Sequence, residues 1–165
     1  MGYTTNFEGK LKIEPTLPQP AIKYINKFSG TRRMKRVFEN NIHGIDGEFF
    51  VDGKGFAGQD NDDSVVNSNM PPSTQPGLWC QWVVSDCGNF LKWDESEKFY
   101  HYTEWLSYMI NSFFAPNRFR LNGEISWQGE DPSDNGTIFV KNNIITVNGE
   151  IIIPIEPKQQ KLIVG

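Results

Sequence analysis

The pattern that most limits the fold of this chain is a β-hairpin signal followed at once by helical periodicity and then by alternation. Two apolar runs, at 78–85 and 90–94, flank the turn residues Asp86-Cys87-Gly88-Asn89 and predict the hairpin. A hairpin alone cannot bury its apolar face, so the elements that follow it must supply the covering layer.

The helix signal begins at the end of the hairpin. Asp94 with Glu97 three residues later resembles a capping box, and apolar residues recur at helical spacing from Phe99 to Phe113, before Pro116. Three further segments predict strands: 119–127 by alternation, 137–147 as one strand or a pair with a turn at Asn142-Asn143, and 150–155 as an added edge strand.

The first part of the chain predicts one strand and one helix. Segment 3–14 alternates weakly and predicts a strand with a bulge at Gly9. A helix follows, with Thr16 as N-cap, Pro18 in its first turn and Gly30 as C-cap. Regular patterns then fade over 31–77, and so long an irregular stretch inside a domain is typically functional or disordered.

The predicted order is therefore β-α-loop-β-β-α-β-β. This order predicts an α+β fold, a ferredoxin-like βαββαβ sandwich with a long insertion after the first helix and an extra C-terminal strand. The 165 residues fit one domain, which we place at 1–156, with 31–77 as the insertion and 157–165 as a frayed tail.

Composition excludes some classes of function. The net charge of −4 argues against general nucleic-acid binding, which depends on neutralising phosphates. The polar N-terminal segment gives no signal peptide, and no apolar run reaches the roughly 20 residues of a membrane span. Two cysteines are few for a secreted disulfide scaffold. We expect a soluble protein of the cytoplasm with no membrane contact.

Several strings of residues resemble an uncharacterised family of small proteins from bacteriophages, prophages and actinobacteria. They are Thr31-Arg32-Arg33-Met34-Lys35-Arg36, Gly55-Phe56-Ala57-Gly58-Gln59-Asp60, Leu78-Trp79-Cys80-Gln81-Trp82, Glu97-Lys98-Phe99-Tyr100, Glu104-Trp105-Leu106 and Leu121-Asn122-Gly123-Glu124-Ile125-Ser126-Trp127-Gln128-Gly129-Glu130. The layout is also loosely similar to ferredoxin-like phage and plasmid proteins. The resemblance implies a phage or mobile-element origin, hence the host bacterial cytoplasm, and brings no assigned activity.

The candidate ligand-binding residues combine a basic run, an apolar glycine-rich segment and a set of Trp, Gln and Glu residues on predicted strands. They are Arg32, Arg33, Lys35, Arg36, Phe56, Gln59, Trp79, Gln81, Glu124, Trp127, Gln128 and Glu130. Trp stacks on a base and amides or carboxylates read its edge, while the basic run suits an anion. The alternatives are that the Trp residues form core and that the basic run meets the dipole of the first helix.

Catalytic and metal signatures are incomplete. Counted from Asp60, an EF-hand loop would need Gly and Glu where Val65 and Pro71 stand. The two histidines and two cysteines do not form a zinc motif, and no nucleophile elbow is present. Glu124 with Glu130 or Asp131 remains an acid/base candidate. We predict no metal and no cofactor.

The sequence thus favours a non-enzymatic phage or mobile-element binding protein, with a counter-defence inhibitor as its concrete form. Its partner would be a host protein or a sequestered nucleotide-like ligand. One alternative is a small hydrolase or transferase that uses Glu124 or Glu130, and another is a structural or assembly accessory protein. The apolar edge at 151–155 favours a homodimer, since unpaired strand edges invite pairing.

Overall fold

The structure is a computed structural model that describes residues 2–152. Within these residues the strands are β1 (Thr5–Glu14), β2 (Lys35–Arg36), β3 (Val65–Asn67), β4 (Trp82–Val84), β5 (Phe90–Trp93), β6 (Arg120–Gly129), β7 (Asn135–Lys141), β8 (Ile144–Val147) and β9 (Glu150–Ile152). The α-helices are α1 (Gln19–Ser29) and α2 (Tyr102–Met109). A seven-stranded sheet has the order β4-β5-β1-β6-β7-β8-β9, and all of its neighbouring strands are antiparallel.

The centre of the sheet is the long pair β1 and β6, whose register is continuous from Thr5 opposite Gly129 to Glu14 opposite Arg120. The bulge predicted at Gly9 is therefore wrong. Gly9 is needed because a Cβ there would lie 2.5 Å from the Glu124 carbonyl oxygen, at a φ of 105°. It allows a close approach of the two backbones rather than an extra residue.

One face of the sheet is buried and the other is open. On β1, Phe7, Leu11 and Ile13 point into the core, whereas Glu8 and Lys10 are exposed. The same alternation runs through β6 and β7. Because both helices contribute to the same buried cluster, they cover one face and leave a charged open face opposite.

The predicted first helix is confirmed as α1, although its start differs. Ala21, Ile22, Ile25 and Phe28 form its buried stripe, and the Gly30 N–H donates to the Asn26 carbonyl at its end. Thr16 does not cap it. The Thr16 hydroxyl instead hydrogen-bonds to Asn89 in the hairpin turn at 2.6 Å, and Pro18 takes the N-cap position.

The predicted capping box at Asp94 is wrong, since α2 begins only at Tyr102. Asp94 Oδ1 accepts the N–H of Ser96 at 2.8 Å, which closes a local turn instead of a helix start. Phe99 is buried against Trp82 and adds core packing from outside the helix. Segment 94–101 thus forms an irregular connection between β5 and α2.

The C-terminal part of the sheet is larger than predicted. The hairpin of β7 and β8 forms with Asn142 and Asn143 both at positive φ, as the sequence indicated. β9 then adds to β8, which confirms the predicted edge strand over 150–152, but three strands follow β6 in the described chain, so the fold prediction of a single extra strand counted too few. The rest of the predicted edge strand and the predicted tail at 157–165 lie outside the described residues.

The insertion at 31–77 is held against the helices by a buried polar network. Arg33 Nη2 donates to the Glu48 carbonyl oxygen at 2.7 Å, and Gln75 Nε2 donates to the same oxygen at 2.6 Å. The Tyr108 hydroxyl of α2 donates to Glu48 Oε1 at 2.7 Å. Residues from the start, middle and end of the insertion therefore contact one another beside Tyr108 of α2.

The β4 edge of the sheet is closed by a side chain of α1. Asn26 Oδ1 accepts the N–H of Val84 at 2.8 Å, and Asn26 Nδ2 donates to the Val84 carbonyl at 3.0 Å. The amide thus replaces a neighbouring strand, which leaves this edge without free backbone groups at Val84.

We expect Asn26→Ala to lower the free energy of unfolding by roughly 1–3 kcal/mol, because it leaves a half-buried backbone donor and acceptor without partners. Urea denaturation would measure this, with Lys23→Ala on the exposed side of α1 as control. Equal stability of the two variants would show that the Asn26 contacts contribute nothing.

Candidate functional site

A cleft of about 770 Å³ lies between the insertion and the connection that precedes α2. Five segments line it: the end of α1 at 29–30, the turn at 56–57, the stretch at 69–71, the stretch at 76–81 that leads into β4, and the connection at 94–101. We call this cavity the aromatic cleft. Its volume lies within the range of small-molecule sites.

Three aromatic side chains line the aromatic cleft from different segments. Trp79 lies just before β4, in a stretch that the sequence predicted as strand and the structure shows as irregular. Tyr100 and Phe56 are 47% and 87% exposed, which is unusual for such large apolar groups. Both are therefore available to a ligand.

Strained backbone is concentrated around this cavity. Five described residues other than Gly, Asn and Asp have positive φ, and three of them, Ala57, Lys98 and His101, line the cleft. Their φ angles are 52°, 61° and 58°, and each such residue costs on the order of 1–3 kcal/mol. Such strain persists only where the surroundings enforce it, and it clusters at ligand sites.

Two polar groups at the open end of the β4 and β5 hairpin, away from its turn, line the cleft. Gln81 is buried and donates from Nε2 to the Glu97 carbonyl at 3.1 Å, which orients its amide. Asp94 is half-buried, and desolvation raises the pKa of its carboxyl above the ordinary 3.8. An amide and a carboxyl side by side can read the hydrogen-bonding edge of a flat heterocycle.

The structure brings together part of the predicted site. Phe56, Trp79 and Gln81 all line the aromatic cleft. Arg32 lies beside them, with its guanidinium 5.9 Å from the Trp79 ring centre, and it donates to the Ser68 carbonyl at 3.1 Å.

The rest of the basic run does not assemble into an anion site. Arg33 belongs to the buried network described above, and Arg36 is buried with an ion pair to Asp62 at 3.2 Å. Lys35 is half-exposed and Gln59 exposed, and neither lines the cleft. Buried hydrogen bonds and an ion pair, rather than the predicted contact with the dipole of the first helix, fix Arg33 and Arg36. These two residues stabilise the folded insertion.

The Trp-Gln-Glu set on β6 is divided between the two faces of the sheet. Trp127 points into the core and donates from Nε1 to Asp134 Oδ1 at 3.0 Å. Glu124 is exposed on the open face, and Gln128 donates to backbone carbonyls of the following turn. Glu130 Oε1 accepts the N–H of Thr4 at 2.9 Å. None of these four residues lines the aromatic cleft.

Sequence reasoning missed the contribution of Asp94, Lys98, Tyr100 and His101. A helix predicted from Asp94 onward placed them on its first turns, where they would have spread around its circumference. The string Glu97-Lys98-Phe99-Tyr100 was noted only as part of a resemblance. The left-handed residues have no local signature, because Lys and His rarely adopt such φ angles without tertiary support.

Other chemical groups in the described residues are separate from the cleft. Burial raises the pKa of the Cys80 thiol to about 12, while Cys87 is exposed, and both are free thiols. No group of three or more His, Cys, Asp or Glu side chains within 2–152 is placed to hold a metal ion. No helix in that range is long and apolar enough to cross a membrane.

Comparison of the chain with protein-family models, curated proteins and solved structures gave no significant match. The site must therefore be interpreted from its own geometry.

We expect Asp94→Asn to be more stable than the wild type at neutral pH and equal to it in acid. Because the pKa of Asp94 is raised in the folded protein, the folded wild type binds more protons than the unfolded chain just above pH 3.8. The free energy of unfolding of the wild type therefore falls as pH rises through the range in which the folded Asp94 loses its proton. The substituted amide would not titrate, and its oxygen can still accept the Ser96 N–H.

Urea denaturation of both proteins between about pH 3 and about pH 7 measures the difference. A difference that stays constant or shrinks with rising pH would contradict the assignment of Asp94 as a desolvated carboxyl.

Proposed function

We propose that this chain is a non-enzymatic binding protein that holds a small nucleotide-like ligand in the aromatic cleft. The observation that carries the proposal is the cleft itself: a cavity of about 770 Å³ lined by the aromatic side chains of Trp79, Tyr100 and Phe56 and by the polar groups of Gln81 and Asp94. Aromatic side chains bind a base through its face whatever its identity, and the few polar groups select its edge.

The charges around the cleft indicate which part of such a ligand enters. Lys98 and His101 line it together with Asp94 and Glu97, so the lining is not strongly positive. A polyphosphate would not be favoured inside. Arg32, beside Trp79, supplies a positive charge next to the ring on which a base would stack. A nucleoside or nucleotide whose base is inserted fits this distribution.

The biological setting of the proposal rests on the family resemblance alone. A phage or mobile-element protein that binds a nucleotide-like ligand without altering it would lower the free concentration of that ligand in the host cytoplasm. This is the counter-defence role in its simplest chemical form, and it requires no catalytic group.

We further propose that β1, α1, β4, β5, α2 and β6 form a ferredoxin-like unit, to which β7, β8 and β9 are added. The chain order strand-helix-hairpin-helix-strand supports this, and so does the antiparallel order β4-β5-β1-β6 at one side of the sheet. In this unit the cleft lies where the long insertion meets the loop before the second helix.

The alternative of a hydrolase or transferase finds no support in the placement of its two carboxylates. Glu124 and Glu130 are six residues apart along β6 and its extension, which corresponds to about 20 Å of extended chain. Carboxyl pairs that cleave glycosidic bonds lie within about 10 Å of each other.

We expect Trp79→Ala to weaken the binding of a nucleoside or nucleoside monophosphate by about 5- to 150-fold, since stacking on one aromatic side chain contributes roughly 1–3 kcal/mol per base. Isothermal titration calorimetry with adenosine, guanosine, cytidine, uridine and their monophosphates would measure it, and chromatography of the recovered ligand would show it unchanged.

The matched control for this experiment is Phe139→Ala, which removes a half-exposed aromatic side chain from the open face of the sheet. Binding that responds equally to both variants, or a ligand that is recovered in altered form, would refute a non-enzymatic site at Trp79.

Binding of a host protein is a second candidate function, favoured by the surface of the insertion. Six large apolar side chains of the insertion are exposed in the described chain: Val37, Ile42, Ile45, Phe56, Val66 and Met70. Exposed apolar groups concentrated on one segment are typical of interaction surfaces.

For this second function we expect Val37→Glu with Val66→Glu to abolish capture of a single bacterial protein from host lysate, while nucleoside binding is retained. Val37 and Val66 are 62% and 58% exposed, so the pair should not affect folding. Capture that is equally strong with the double variant would exclude this surface as the binding surface.

A further inference from the structure

The indole N–H of Trp105 is a buried hydrogen-bond donor that has no acceptor among residues 2–152. The side chain itself is fully buried in α2 and packs edge-on against Phe28 and Tyr108, at ring distances of 6.0 Å and 5.6 Å. A buried polar group without a partner typically costs about 1–3 kcal/mol.

Other tryptophans of the chain show that this is exceptional. Trp82 donates from Nε1 to the Tyr102 carbonyl at 2.9 Å, Trp93 to the Ser96 carbonyl at 3.2 Å, and Trp127 to Asp134 at 3.0 Å. Each of these indoles has an acceptor supplied by the fold. The Trp105 donor instead lies where the fold supplies none, which calls for an explanation.

The unpaired donor lies close to Gly77, a residue of the cleft wall. Gly77 and His101 both line the cleft, and a Cβ on Gly77 would lie 3.7 Å from Trp105 Nε1 and 3.5 Å from His101 Cδ2. Gly77 has no side chain, but Nε1 itself is closed off from solvent, so an acceptor in the cleft reaches it only if the wall at Gly77 shifts. The His101 side chain is 56% exposed, and its Nδ1 lies 3.2 Å from Glu104 Oε2.

We infer that the ligand of the aromatic cleft carries a hydrogen-bond acceptor that Trp105 Nε1 binds once the wall at Gly77 shifts to admit it. The inference rests on the proposed function and narrows its ligand class to a flat heteroaromatic ring with a ring nitrogen or a carbonyl oxygen at its inserted edge. Trp79 and Tyr100 hold the faces of the ring, and Trp105 reads one atom of its edge.

This arrangement accounts for the unpaired donor. A donor held rigid in the core and left unpaired until the ligand arrives gains a full hydrogen bond on binding, because it gives up no competing partner. A site of this kind rejects an analogue that lacks the acceptor more strongly than a site with apolar walls alone.

The test uses the full chain labelled with ¹⁵N in its tryptophan indoles and titrated with adenosine, guanosine, cytidine and uridine in turn. The Trp79 and Trp105 indole signals are assigned with Trp79→Phe and Trp105→Phe. We expect the nucleoside that binds to shift both signals, with the Trp105 proton moving downfield as its hydrogen bond forms.

The matched variant is Gly77→Ala. Its methyl group would make ordinary van der Waals contacts with Trp105 and His101, so the fold should be retained, but it would stand 3.7 Å from Trp105 Nε1 and keep an acceptor away from it. We expect at least fivefold weaker binding and a Trp105 signal that no longer responds. The unchanged Trp82 signal and thermal midpoint serve as controls for folding.

The outcomes separate the two proposals. If no nucleoside shifts either the Trp79 or the Trp105 signal, the proposed function fails and the inference fails with it. If the Trp79 signal shifts saturably while the Trp105 signal stays in place, the cleft binds the ligand but Trp105 does not, and the inference alone is overturned. The wild-type titration decides this even if Gly77→Ala does not fold.

Discussion

The buried guanidinium of Arg33 holds the insertion to the body of the domain, and the aromatic cleft depends on it. Arg33 donates to the Glu48 carbonyl and stacks 4.2 Å above the centre of the Phe28 ring of α1. Burial lowers the pKa of the guanidinium to about 10, so the group stays charged at neutral pH. A buried charge must be paired or solvated by dipoles, and here Glu48, Gln75 and the ring supply them.

This network also positions the wall of the cleft. Gln75 Nε2 donates to the Glu48 carbonyl and to the Tyr108 hydroxyl. These bonds fix the chain just before the stretch that carries Gly77 and Trp79. The opposite wall is fixed by Gln81 and Trp93, which bind the backbone at Glu97 and Ser96. Hydrogen bonds to α2 and to the β4–β5 hairpin thus fix both walls. This explains how strained residues such as Lys98 can persist there.

The sheet itself plays a different part. The long β1 and β6 pair forms a rigid platform, and its open face carries exposed charges such as Glu124 and Lys10, the latter 4.0 Å from the Phe90 ring centre. A strand presents alternate residues to opposite faces, so Trp127 and its neighbour Gln128 cannot act on one ligand. The β6 residues that the sequence suggested as a binding surface do not line the cleft.

The sequence by itself determined the elements that depend on local periodicity: β1, α1, the hairpin of β4 and β5, and the strands from β6 to β9 in outline. These patterns are strong because each element has one buried face, and Phe56, Trp79 and Gln81 were recognisable as unusual residues. Only the tertiary structure decided that these three share a cavity with His101, that Arg33 and Arg36 are buried supports, and that Asp94 starts a turn rather than a helix. Those outcomes depend on contacts between residues far apart in the chain, such as Arg33 with Glu48 and Gln75, and such contacts leave no periodic trace in the residues that make them.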